Sequence, residues 1–129
     1  MRKFCAIIVE PDSLWRAMLY RHLDHNQSDF HFAPTAGDAR VLFKRHEPSL
    51  LVTELDLPDY GGLELVRQIR ESHALSPAHI LVLTQNFNRP MVEKGLNYGV
   101  NGYLEKGALP LSSIAAVIAR MARESNINI

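Results

Sequence analysis

The chain has 129 residues, of which 47% are hydrophobic and 22% charged, as expected for one globular domain with a buried core. Its 14 basic and 14 acidic residues cancel, so the domain has no overall field for holding DNA, RNA or an anionic membrane surface. The single Cys5 excludes an intrachain disulfide, and no apolar run approaches a membrane span, so we expect a reduced, cytoplasmic setting.

The predicted elements alternate between strand and helix along the whole chain. Short aliphatic runs indicate buried strands, and apolar residues at a spacing of three or four indicate helices. Proline and glycine near several element ends support the boundaries. In chain order, the pattern predicts strand 4–9, helix 13–25, strand 29–33, helix 35–46, strand 49–53, helix 62–73, strand 79–83, helix 90–98, strand 102–104 and helix 110–123.

The first helix shows this pattern clearly. Trp15, Leu19 and Leu23 lie on one stripe at a spacing of four, which is typical of a face that packs on a core. Asp12 or Ser13 suits its N-cap, because a short polar side chain can accept a hydrogen bond from the first free amides. Trp15 is therefore interpreted as a core or interface residue.

Five strand–helix repeats with aliphatic strands predict an α/β fold. We expect a doubly wound parallel sheet of five strands with five helices on its two faces, and we consider the strand order 2-1-3-4-5. The chain shows no repeat, linker or low-complexity segment, so residues 1–129 are expected to form a single domain. In such sheets, functional residues lie beyond the carboxyl ends of the strands.

Polar residues follow four of the predicted strands. Glu10 follows the first strand, Glu54 the third, Thr84 the fourth and Lys106 the fifth. In the predicted order these four tips meet at one rim, where carboxylates could hold Mg²⁺ and a hydroxyl and a lysine could hold phosphoryl oxygens. Each residue alone would suit a solvated loop, but the four together favour a site.

Four segments of the chain resemble, in order and at similar spacing, the receiver domain of bacterial two-component response regulators. They are "IIVEPD", "PSLLVTELDLPDYGGLELV", "ILVLTQ" and "GVNGYLEKG", and the resemblance covers residues 4 to about 123. It implies a flavodoxin-like, CheY-like α/β fold with the strand order 2-1-3-4-5, and a role in phosphorelay signal transduction. In that family a histidine kinase supplies the phosphoryl group and Mg²⁺ assists the transfer.

The resemblance also implies roles for individual residues. Glu54 takes the place of the phosphoacceptor, and Glu10 matches the first acid of the metal site. Thr84 matches the hydroxyl that follows the phosphoryl group, and Lys106 matches the lysine that pairs with the acceptor and its phosphate. Tyr103 matches the aromatic residue that moves between exposed and buried positions.

Several departures from the family pattern bear on the same reaction. Glu54 replaces the acceptor aspartate, and Pro11 replaces the second acid of the metal site. Gln85 stands where a small residue is usual, and Gly107 where proline is common. The extra methylene of glutamate moves the attacking oxygen by roughly 1 Å, a displacement that can cost about 100-fold in rate. We therefore expect no phosphorylation, no bound metal and no other cofactor.

Other acids near the rim are weaker substitutes. Asp56 lies past the end of its strand, and Asp12 also suits a helix cap, so we assign both to an acidic pocket with Glu10 without expecting either to restore the reaction.

Two interpretations of Glu54 remain open. Its carboxylate, opposite Lys106, could act as a permanent phosphomimetic that orders Thr84 and Tyr103, or it could be an inert replacement kept for packing. The competing hypothesis is a working Mg²⁺-dependent phosphoacceptor with Glu10, Glu54 and Asp56 as metal ligands. A third is a carboxylate metabolite held by Lys106 and Thr84.

The expected output is protein–protein contact and not catalysis. The resemblance implies a dimer through helix 4, strand 5 and helix 5, or through helix 1, with Leu111, Ile114 and Ala115 near the first of these surfaces. It also implies that the chain is the N-terminal part of a longer regulator whose fused effector, most often a DNA-binding domain, controls transcription.

Six histidines are scattered along the chain without metal-ligand spacing, at positions 22, 25, 31, 46, 73 and 79. His22 and His25 share a helix face, but no third ligand lies near them in sequence, so we expect no zinc site.

Overall fold

Parallel strands alternate with helices throughout the computed structural model, which describes residues 4–73 and 76–124. The strands are β1 (Phe4–Val9), β2 (Ser28–Ala33), β3 (Leu50–Thr53), β4 (His79–Thr84) and β5 (Gly102–Glu105). The helices are α1 (Ser13–His22), α2 (Ala36–His46), α3 (Gly62–Ser72), α4 (Arg89–Tyr98) and α5 (Leu111–Glu124). The predicted succession of elements is confirmed, with shifts of a few residues at their ends.

The five strands form one parallel sheet in the order β2-β1-β3-β4-β5. This confirms the predicted flavodoxin-like, CheY-like topology. The carboxyl ends of β1, β3, β4 and β5 therefore lie side by side, which brings the residues after those strands to one rim.

Alternate residues of the strands supply two separate hydrophobic layers. On β1, Ile7 and Val9 belong to the layer beneath α2, α3 and α4, whereas Ala6 and Ile8 belong to the layer beneath α1 and α5. A strand that is covered on both faces has to be apolar at every position, which is why β1 reads as an unbroken aliphatic run.

Helix α1 ends at His22, three residues before the predicted end. The cap residue Leu23 has extended dihedral angles, and its amide closes the last turn on the carbonyl of Leu19. Two imidazoles then contact carbonyl oxygens of the final turns, His22 with Met18 and His25 with Tyr20. These side-chain contacts replace the amides that a longer helix would provide.

The expected position of two α5 residues is wrong. Ile114 and Ala115 are 1% and 3% exposed, so they cannot contribute to an interaction surface. The apolar stripe of α5 packs on the sheet with Leu19 of α1 and the cap residue Leu23, and Leu111 packs partly buried against the same layer. The stripe therefore belongs to the core.

None of the helices in the described ranges is long and apolar enough to cross a bilayer.

The start of α3 depends on a glycine that lies against the site strand. A Cβ on Gly62 would lie 2.2 Å from the carbonyl oxygen of Glu54 and 3.0 Å from the Cα of Leu55, both in backbone that cannot rotate away. Gly61, the residue before it, is the matched control, because a Cβ at Gly61 would have no neighbouring atom closer than 3.9 Å.

We expect Gly62→Ala to lower the free energy of unfolding by about 1–3 kcal/mol, because the methyl group forces α3 away from β3. Gly61→Ala should change it by less than about 1 kcal/mol. Urea denaturation of both variants measures the difference. Equal losses would show that the cost comes from glycine caps in general and not from contact with Glu54.

Candidate functional site

The four polar strand-tip residues meet at one rim, as the strand order requires. The sheet hydrogen bonds continue past the strands: the amide of Glu54 donates to the carbonyl of Val9 at 3.0 Å, and that of Lys106 to the carbonyl of Thr84 at 2.9 Å. The amide of Glu10 likewise donates to β2. Because the backbone of each tip is fixed by its neighbour, the side chains leave the sheet at defined positions.

Three of these side chains form a buried ionic group, which we name the Lys106 triad: Glu10, Glu54 and Lys106. The ammonium of Lys106 lies 2.5 Å from Oε1 of Glu10 and 2.9 Å from Oε1 of Glu54. The three side chains are 3%, 7% and 4% exposed, in that order. Contacts this short between charged groups shielded from water are charge-assisted hydrogen bonds, and they hold all three side chains in one arrangement.

The second oxygen of each carboxylate is also occupied. Oε2 of Glu10 accepts from the amide of Asp12 at 3.0 Å, and Oε2 of Glu54 accepts from the amide of Leu55 at 2.6 Å. The triad carries two negative charges and one positive charge, and backbone amides stabilise the excess negative charge. Each carboxylate is therefore bound at both oxygens by the chain itself.

Trp15 covers the ammonium on a further side. Its ring centroid lies 4.7 Å from Nζ of Lys106, a distance at which the ring face attracts a cation. Trp15 is half-buried and packs against the core layer beneath α1 and α5. Sequence reasoning placed Trp15 in the core or an interface but did not identify its contact with Lys106, because the helical stripe only indicates burial.

Arg16 fixes the loop that carries Glu10. Its Nη1 donates to the carbonyl oxygen of Glu10 at 2.8 Å and to that of Pro11 at 2.9 Å. The sequence analysis did not single out Arg16, and nothing in the local pattern distinguishes it from a solvated helix residue. Its contacts hold the loop after β1 in the conformation that directs Glu10 toward Lys106.

The two other acids of the predicted pocket lie outside the triad. Asp12 is the exposed N-cap of α1, where its Oδ1 accepts from the amide of Leu14 at 2.8 Å. Asp56 is exposed and accepts from the side-chain amide of Asn86. Only the backbone amide of Asp12 contacts the triad, through Glu10.

The switch-position residues make contacts with α4 and its preceding loop. Thr84 is fully buried, and its Oγ1 accepts from the amide of Asn86 at 3.0 Å. The hydroxyl of Tyr103 donates to the carbonyl of Met91 at 3.0 Å, and partial burial raises the pKa of Tyr103. Its ring lies close against Gly95, where even a methyl group would collide with the phenol.

The structure shows the surroundings of the three other residues that depart from the family pattern. Pro11 offers only its carbonyl oxygen, which accepts from Arg16. Gly107 has a φ of 85°, a left-handed conformation that proline, fixed near −65°, cannot adopt. Gln85 is exposed at the end of β4.

As placed, the rim offers few ligands for a hard cation. Mg²⁺ requires near-octahedral oxygen coordination at about 2.0–2.1 Å. Glu10 and Glu54 are the buried carboxylates here, and both of their oxygens already accept hydrogen bonds. A cation would have to displace Lys106 from both partners. These residues therefore do not fit a Mg²⁺ site in this arrangement.

Comparison with known proteins gives the family. The family model described as "Response regulator receiver domain" matches residues 6–118. The chain is 30% identical over 111 residues to the "Uncharacterized 14.6 kDa protein in sodA1 3'region" of Leptolyngbya boryana, covering 86% of this chain and 85% of that protein.

One further sequence relative and one solved structure are similar to the chain. Identity to the two-component response regulator PhoP of Pseudomonas aeruginosa is 31% over 100 residues, which are 78% of this chain but only 44% of that protein. The crystal structure of a response regulator receiver domain protein (CheY-like) from Methanospirillum hungatei superposes with a TM-score of 0.87. It covers 99% of this chain and 100% of that one at 18% identity, so this likeness shows the fold alone.

The triad makes a stability prediction. Lys106→Met should lower the free energy of unfolding by about 3–5 kcal/mol, because it leaves two buried carboxylates without their cation. Adding Glu54→Gln to that variant should recover part of the loss, since one of the two like charges is removed. Chemical denaturation measures both variants.

Lys44, exposed on α2, provides the matched control: Lys44→Met should change stability by less than about 0.5 kcal/mol. A small loss in Lys106→Met, or a second variant less stable than the first, would contradict the proposed charge balance.

Proposed function

Because the chain belongs to the response regulator receiver domain family, we propose that it works in two-component signal transduction as a receiver that is not phosphorylated. The observation that carries this proposal is the double contact of Lys106 with Glu10 and Glu54 at 2.5 and 2.9 Å. In this reading the lysine is paired permanently with carboxylates and has no phosphate to hold.

The state of Glu54 supports the proposal. Phosphoryl transfer depends on an attacking oxygen in line with the donor and on cations that neutralise the developing charge. Both oxygens of Glu54 accept short hydrogen bonds, and its side chain is 7% exposed. Glutamate is longer than aspartate by one methylene. With this length the carboxylate of Glu54 lies against the ammonium of Lys106 and forms an ion pair with it.

We further propose that the domain binds no Mg²⁺ or other cofactor at this rim and is not an enzyme. The support is the donor set: Pro11 contributes no side-chain oxygen, and Asp12 is engaged as the cap of α1. Removal of one acid weakens a metal site whose two remaining carboxylates are both paired with Lys106.

Between the two interpretations of Glu54, we favour an inert replacement over a phosphomimetic. Among the described residues, no hydrogen bond joins Glu54 to Thr84 or Tyr103. The hydroxyls of those two residues contact Asn86 and Met91 instead. A phosphomimetic Glu54 would need a contact with Thr84 or Tyr103 to order their side chains, whereas an inert replacement needs no such contact.

Output through protein contact is supported by exposed apolar side chains around α4 and β5. Phe87, Leu96 and Leu109 are 44%, 55% and 41% exposed, in the loop before α4, on α4 and in the loop after β5. We propose that this side of the domain, with α5, forms a self-association surface. Leu14 and Tyr20 on α1 are exposed as well and mark the second candidate surface.

We propose an effector that controls transcription as the downstream partner, fused beyond the receiver or bound to it. The chain spans 44% of its Pseudomonas relative, which leaves length for a further domain in that protein, and 85% of its Leptolyngbya relative. The free thiol of Cys5 suits the reduced cytoplasm in which we place the domain.

The central test is incubation with Mg²⁺ and a small-molecule phosphodonor, followed by intact-mass measurement. We expect no gain of mass, because Glu54 is bound at both oxygens and the cation has no site. A receiver with an acceptor aspartate, treated in parallel, controls for the donor. A gain of one phosphate that disappears in Glu54→Gln would establish the competing phosphoacceptor function.

The association surface is tested by Leu96→Asp. A charge at the centre of an apolar contact should weaken self-association by at least about tenfold, since burying it unpaired is costly. Val41→Asp is the matched control, because Val41 is 65% exposed on α2, away from α4 and β5. Sedimentation velocity measures both variants. A monomeric unaltered protein, or equal weakening by both changes, would contradict the proposed surface.

A further inference from the structure

Three ligand-type side chains meet under α2, at the opposite end of β1 from the Lys106 triad. Cys5 lies near the start of β1, His31 lies in β2, and His46 is the last residue of α2. One ligand atom from each, the sulfur and two imidazole nitrogens, lies within 4.8 Å of the others. All three residues are half-buried, so they are neither sealed in the core nor fully solvated.

We propose that Cys5, His31 and His46 form a binding site for a borderline divalent transition-metal ion, of which Zn²⁺ is the representative. Thiolate sulfur and imidazole nitrogen are the ligands that such ions prefer over carboxylate and carbonyl oxygen. Three protein ligands leave a fourth tetrahedral position for water or an external ligand.

The backbone fixes two of the ligands on the same face. β1 and β2 are parallel, with Cys5 paired to Asp29 and Ile7 paired to His31. Residues two apart on a strand share a face, so Cys5 with Ile7, and Asp29 with His31, all face α2. The last turn of α2 then brings His46 over His31, where the two rings stack with centroids 3.9 Å apart and planes at 15°.

The spacing is close to that of a formed site. From the usual metal–ligand lengths, ligand atoms around a tetrahedral Zn²⁺ lie about 3.3–3.6 Å apart. The observed upper limit of 4.8 Å exceeds this by an amount that side-chain rotation can supply. Because an imidazole nitrogen binds a metal in the plane of its ring, the stacked rings of His31 and His46 have to turn toward the ion on binding.

Local charge also favours a cation. Coordination by Cys5 requires its thiolate, so binding of a metal would release the thiol proton. Asp29 adds a negative charge beside Cys5 and His31.

The plain alternative is that the stacked histidines are packing partners for the cysteine and bind nothing. The two readings differ in one measurable way: packing does not require the sulfur and both imidazoles together, whereas coordination does. The proposal does not depend on the state of the Lys106 triad.

The test is titration of the untagged, reduced protein with Zn²⁺ in competition with a chromophoric chelator. We expect one ion per chain, and a loss of affinity of at least about tenfold in each of Cys5→Ser, His31→Gln and His46→Gln. His22→Gln is the control, because His22 is exposed on α1 outside the cluster, and it should bind as the unaltered protein does. Far-ultraviolet circular dichroism confirms that each variant is folded.

Co²⁺ substitution supplies an independent readout. Coordination by Cys5 should give a thiolate-to-cobalt charge-transfer absorption that is absent in Cys5→Ser and unchanged in His22→Gln. Failure of the unaltered protein to bind Zn²⁺ in competition with the chelator, binding that persists in all three ligand variants, or cobalt bound without the charge-transfer band would each overturn the proposal.

Discussion

A buried lysine ammonium between two carboxylates is the interaction around which the rim of this domain is arranged. Removal of three charges from water is costly unless each charge is paired and its remaining hydrogen-bonding positions are filled. Lys106 has Glu10, Glu54 and the ring of Trp15 around it, and both carboxylates also accept backbone amides. That arrangement requires β1, β3 and β5 to end at the same level, so it depends on the register of the whole sheet.

The same interaction is the basis for proposing that this domain keeps the family fold without the family's phosphoryl chemistry. A receiver needs an acceptor oxygen, a bound cation and a lysine that meets the phosphoryl group. Here the acceptor position has one more methylene, and Glu54 meets Lys106 directly at 2.9 Å. Arg16 secures the loop after β1 through the carbonyls of Glu10 and Pro11. The pocket is thereby stabilised by contacts within the chain, and the proposed output lies in the surface around α4 and β5.

Several features follow from local patterns, and the structure agrees with them. Aliphatic runs and helical stripes predicted every element in order, because burial on both faces leaves a periodic signal. The strand order 2-1-3-4-5 places Glu54 and Lys106 at one rim, and the structure shows the two side chains in contact there. Where the predictions were wrong, contacts with neighbouring residues were responsible. The predicted end of α1 at position 25 did not allow for the imidazole contacts near the end of the helix, which ends at His22. The resemblance placed Ile114 and Ala115 near an interaction surface, but both are buried against the sheet.

The class of fold and the residue types at the rim therefore follow from periodicity and residue chemistry along short stretches, and the strand order follows from the family resemblance. The packing of the folded chain shows which oxygens of Glu10 and Glu54 are occupied and that Trp15 covers Lys106. The same packing shows that Asp12 and Asp56 lie outside the Lys106 triad, and that the side chains of Cys5, His31 and His46 lie close together. The physical reason is distance along the chain, because Lys106 and Glu10 are separated by 96 positions. Packing of helices onto a sheet brings distant side chains together, and a local sequence pattern does not indicate which ones will meet.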